Sequence, residues 1–100
     1  MALRILGDLD RTVHDYDNAL LHLQSALRKY RQLGMAYGEA LTRRAIGQTY
    51  AGVGDIESAQ LHWCEALQLF EQLGNTSEAD AVAKSLARLR VAIDTQTRWP

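Results

Sequence analysis

The sequence predicts an all-α protein, an α-solenoid of about two and a half helical hairpins containing five helices. Three observations carry that prediction. Proline occurs only as Pro100, and alanine, leucine, glutamine and arginine outnumber β-branched residues, which favours helix because these side chains lose little rotamer freedom there. Apolar residues recur at spacings of three and four, the signature of one buried helical face. The chain also repeats itself after 40 residues. Arg4, Gly7, Val13, Asp15, Ala19, Leu21, His22, Ala26 and Leu27 match Arg44, Gly47, Val53, Asp55, Ala59, Leu61, His62, Ala66 and Leu67, and Gln32-Leu33-Gly34 matches Gln72-Leu73-Gly74. A period of this size marks stacked supersecondary units.

Each unit divides into two helices. The second helix is expected to start at an N-capping aspartate, Asp15 or Asp55, whose carboxylate can accept hydrogen bonds from free first-turn amides. Its inward stripe is Ala19, Leu23, Ala26, Leu27, Tyr30 and Leu33 in one copy and Ala59, Trp63, Ala66, Leu67, Phe70 and Leu73 in the other. Gly34 and Gly74 then supply the residue that ends the helix. Between them a first helix is expected over about 37–51, closed by a turn at Gly52 and Gly54. Asn75 followed by Glu78 fits a capping box opening a last helix to about Ile93, with Ala79, Val82, Ala83, Leu86 and Leu89 inward. The units are about 1–34, 35–74 and a closing helix 75–94, one domain over 1–94, with a mobile tail from 95 to 100. The first helix of unit one looks truncated at Met1, leaving Leu3, Ile5 and Leu9 as an apolar edge suited to an upstream segment or a second molecule.

The arrangement resembles the tetratricopeptide repeat. The matching residues are Leu3-x2-Leu6-Gly7-x2-Asp10, Ala19-x3-Leu23 and Ala26, then Arg43-x2-Ile46-Gly47-x2-Tyr50, Ala59-x3-Trp63 and Ala66. Asp10 and Arg43 stand where aromatics are usual, and the 40-residue period suggests a long-repeat subtype. The wording of residues 61–89 further resembles the last repeat of actinobacterial antibiotic-regulatory transcription activators. These resemblances imply a protein-binding solenoid within a larger bacterial signalling or transcription regulator.

Eleven basic and twelve acidic residues leave a formal charge of -1 over 100 residues, which argues against a nucleic-acid surface. No apolar run reaches the roughly 18 residues of a membrane span. One cysteine and no signal-like N-terminus point to a cytoplasmic, reducing setting. No arrangement of nucleophile, base or paired carboxylates survives alignment of the repeats, so no enzymatic activity, cofactor or metal is expected. The triplet His62-Trp63-Cys64 reads as packing, since Leu23 and Gln24 replace the last two in the other copy and His62 and Cys64 point about 200° apart on a helix. The turn GVGDIE at 52–57 lacks the lysine and preceding strand of a phosphate loop.

The expected function is a protein–protein interaction module presenting a concave groove to a peptide or protein. Arg4, Arg44 and Lys84 share one phase of successive first helices, with Gln48 and Arg88 one turn on, a basic ladder suited to an acidic partner because a guanidinium can donate two parallel hydrogen bonds to a carboxylate. The alternative is a homodimer formed through Leu3, Ile5 and Leu9.

Overall fold

A computed structural model describes the backbone of residues 2–98 and the side chains of residues 16–91. Its four helices are α1 (Ala2–Leu33), α2 (Ala36–Gly52), α3 (Ile56–Gln72) and α4 (Thr76–Arg98). The all-α class holds, but there are four helices where five were expected. The missing break is the one predicted before Asp15, and its absence has a local cause. The turns after Tyr30, Tyr50 and Phe70 are built alike. A glycine with positive φ (Gly34, Gly54, Gly74) lets the amide of the next residue reach back to a carbonyl, as Met35 to Tyr30, Asp55 to Tyr50 and Asn75 to Phe70, each at 2.9 Å. Forty residues before Gly54 stands His14. A side chain with a Cβ is strained in that backbone conformation, so the chain stays helical through Asp15 and α1 runs on unbroken.

At the other two predicted starts the caps form. Asp55 accepts from the Ser58 amide at 3.2 Å and from its hydroxyl at 2.9 Å, and Asn75 Oδ1 accepts from the Glu78 amide at 3.2 Å. The reciprocal half of the expected capping box is absent, because the Glu78 carboxylate turns instead to Arg44. Helix α4 continues past Ile93 to Arg98, so the backbone of the tail expected from 95 is helical as far as that residue.

Each helix packs on its neighbours in the chain, α1 on α2, α2 on α3 and α3 on α4. Tyr16 lies over Gly52 and Tyr30 over Gly38, so close that a Cβ would come within 2.7 Å of the Tyr16 hydroxyl or 2.4 Å of the Tyr30 ring. These pairs fix the antiparallel register of α1 on α2. Since Gly52 ends α2, the part of α1 before Tyr16 continues beyond it, which makes the molecule elongated: its radius of gyration is 15.4 Å, against about 13 Å for a compact chain of this length.

The core lies between α2, α3 and α4. Ala40, Ile46, Ala59, Ala66 and Phe70 are fully buried, with Trp63, Ala79 and Val82 nearly so. Tyr37 meets the Phe70 ring edge-on at 6.3 Å. Trp63 spans the α2–α3 junction. Its indole N–H donates to the Arg44 carbonyl at 3.1 Å, and its ring lies over Gly47, where a Cβ would come within 2.4 Å of Cδ1. The predicted stripes are correct except at their edges, where Leu33, Leu73 and Ala83 are exposed.

Replacing Gly47 by alanine sets a gain in helix propensity of about 1 kcal/mol against an overpacking cost of about 1–3 kcal/mol. A net loss of stability is expected in urea unfolding. Because the clash is with the indole, Trp63→Leu should cost less in the Gly47→Ala background than in the wild type, a coupling that a double-mutant cycle reads directly.

Candidate functional site

Of the predicted basic ladder, the structure places one described member, Arg44, in a contact between helices. Arg44 is half-buried, and its guanidinium is paired with Glu78 of α4. It is therefore a tie between two helices and not a free anchor, a correction to its expected role. Its Nε is buried with no hydrogen-bond partner. Gln48, one turn on, is exposed, as are Lys84 and Arg88 on α4. The side chains of Arg4, and of Leu3, Ile5 and Leu9 proposed for the apolar edge, lie outside the described residues.

On the other flank of the α2–α3 junction the structure gathers charges whose connections the sequence did not reveal. Arg43 donates from Nε to Glu39 at 3.1 Å, one turn back on α2, and its Nη1 reaches Glu65 of α3. Arg43, its side chain largely buried, thus has its charge held by two carboxylates. The i,i+4 pair with Glu39 was legible from spacing; the link to Glu65 needed the helix packing.

His62 sits beside this cluster. Its ring stacks on Tyr50 with centroids 5.6 Å apart and planes inclined by 12°, and its Nδ1 is buried without a partner. Burial lowers its pKa below the ordinary histidine range, with Glu65 opposing the shift and Arg43 adding to it. Trp63 is core and Cys64 is an exposed free thiol, so the three adjacent residues face three environments, as expected of packing. Among the described residues no three His, Cys, Asp or Glu side chains group as a metal site requires, and no helix is long and apolar enough to cross a membrane.

The fold is similar to that of a solved structure, the solution NMR structure of the designed protein DA05, with a TM-score of 0.75 over 85% of each chain and 19% sequence identity. No family model and no curated protein matches the chain. Membership in the tetratricopeptide repeat family, expected from residue spacing, is therefore not supported. The narrower likeness to bacterial transcription activators falls with it. At 19% identity the designed protein speaks for the fold alone: a stack of helical hairpins.

The lowered pKa of His62 fixes the sign of one pH effect. The unfolded chain takes up a proton at this site at higher pH than the folded one, so folding stability is full above pH 6.5 and declines as pH falls from 6.5 toward the folded pKa. Thermal melting across that window should show the decline, and His62→Gln should make the profile flatter there.

Proposed function

We propose that this chain is a non-enzymatic protein-binding module that receives an acidic segment along the face shared by α2 and α4. The observation that supports the reading is the Arg44–Glu78 pair. It ties α2 to α4 and neutralises itself, while Gln48 on α2 and Lys84 and Arg88 on α4 are exposed, so two cations and an amide stay open to a partner. An extended carboxylate-rich peptide could pair with Lys84 and Arg88 and accept from the Gln48 amide. Arg44 would join only by exchanging Glu78 for the ligand, so Glu78 acts as an internal competitor. Such contacts between exposed charges are modest and sensitive to salt, which suits a reversible partner.

A short polyglutamate peptide titrated into isotope-labelled protein tests this reading. Amide shifts should concentrate at Gln48, Lys84 and Arg88 and diminish with added salt. The double change Lys84→Glu, Arg88→Glu should weaken binding by about tenfold or more, whereas Glu78→Gln, which releases Arg44, should strengthen it. Shifts that are absent, or spread evenly over the surface, would refute the proposal.

A further inference from the structure

The 40-residue repeat maps α3 onto the second half of α1, and α4 onto α2. Under this mapping the α2–α3 junction is the place where the first helix of a unit receives the second. Its seat on α2 consists of Arg43, Ile46, Gly47 and Tyr50. Ile46 is fully buried there, Gly47 carries the Trp63 ring, and Tyr50 stacks on His62. Forty residues on, the same seat recurs on α4 as Ala83, Leu86, Ala87 and Arg90. These four, with Leu67 of α3, line an open groove of about 340 Å³, in which Ala83, Ala87 and Arg90 are exposed.

The opposite end of the stack carries the matching half. The α3 face that fills the inner seat is Ala59, His62, Trp63 and Ala66. Its copy on α1 is Ala19, His22, Leu23 and Ala26. Ala59 and Ala66 are fully buried, but Ala19 and Ala26 are only half-buried and His22 is exposed. Among the described residues the α4 seat thus holds no helix, and the Ala19, His22 and Ala26 flank of α1, beside the Tyr16–Tyr30 line that packs on α2, is only partly covered.

The two halves also fit in size and charge. Trp63 requires glycine beneath it, since a Cβ at 47 would lie 2.4 Å from its ring. At the outer seat Ala87 adds that methyl group, and the facing side chain shrinks to Leu23. Arg90 takes the place of Tyr50 opposite His22, and a planar guanidinium stacks on an imidazole much as a phenol ring does. Arg43 and Glu65 become Ala83 and Ser25, so that ion pair has no counterpart in the contact.

We propose that copies of this chain associate head to tail, the Ala19–Ala26 face of α1 in one copy seated in the α4 groove of the next. Because the two surfaces differ, each added copy presents a fresh groove, and the association is open-ended unless its rotation closes a ring. It uses neither the face shared by α2 and α4 nor Leu3, Ile5 and Leu9, so it stands or falls apart from the peptide-binding reading. Without the indole hydrogen bond and the Arg43–Glu65 pair, the contact is weaker than the one inside the chain.

Sedimentation equilibrium on the full chain, from about 10 µM to 1 mM to cover weak dissociation constants, reads the result. The weight-average mass should climb with concentration past that of a dimer. Ala87→Glu, which blocks the groove, and Ala26→Glu, which blocks the α1 face, should each stay monomeric with unchanged helical circular dichroism. An equimolar mixture of the two should form a dimer and stop there, because one intact junction remains. A charge exchange provides a second route that does not depend on Ala26. His22→Arg, facing Arg90, should weaken association, and adding Arg90→Glu in the same chain should restore it. A wild-type monomer at every concentration, or association that survives both Ala87→Glu and Ala26→Glu, would overturn the proposal.

Discussion

The contact of Trp63 with Gly47 sets the distance between α2 and α3, and the rest of the structure is arranged around that distance. A helix carbonyl has two lone pairs, and the ladder uses one. The indole N–H can therefore bond to the Arg44 carbonyl at 3.1 Å without breaking α2, provided the helix surface beside it is bare. Gly47 supplies the bare surface, and fully buried Ala59 and Ala66 keep α3 close on either side. With α3 held there, Arg43 comes within reach of Glu65 and α4 is carried to where Glu78 meets Arg44. The ion pairs are consequences of the apolar contact. Partly exposed pairs contribute little by themselves, whereas a buried aromatic ring contributes through area and shape.

What could be read in the sequence was whatever depends on a residue and its near neighbours. The caps at Asp55 and Asn75, the glycine turns and the inward stripe of α3 are local, and they stand where spacing put them. The failure at residue 15 is instructive because the cap was not the deciding feature. Asp15 matches Asp55, yet a capping aspartate only rewards a helix start; it does not stop the helix before it. Stopping requires the left-handed residue, and His14 stands where Gly54 does. A match between repeats at many positions concealed a difference at the one position that controls the break.

The candidate site was legible in phase but not in partnership. Counting places Arg44 and Gln48 one turn apart on α2 and Lys84 and Arg88 one turn apart on α4. That Arg44 is occupied does not follow from counting. Glu78 had two available roles, closing its own capping box or crossing to α2, and only the placement of α4 against α2 chooses between them. The likeness to a repeat family has a related weakness. Small residues where helices approach, with large ones filling the space beside them, are what any close-packed helical hairpin needs. The designed protein of similar fold shares only 19% identity with the chain. The pattern is evidence about packing and carries little about descent.

A chain built from repeats faces a problem that a closed core does not, since a surface used in one contact recurs 40 residues away. The chain answers by changing the residues that make the inner junction strong. Trp63 corresponds to Leu23, Gly47 to Ala87, and the Arg43–Glu65 pair to Ala83 and Ser25. Each change removes an interaction while leaving the outline apolar and small enough for a helix to approach. Charged residues at these places would have closed the ends to any copy, and exact repeats would have made the outer junction as strong as the inner one. The residues present lie between those limits, where association is governed by concentration.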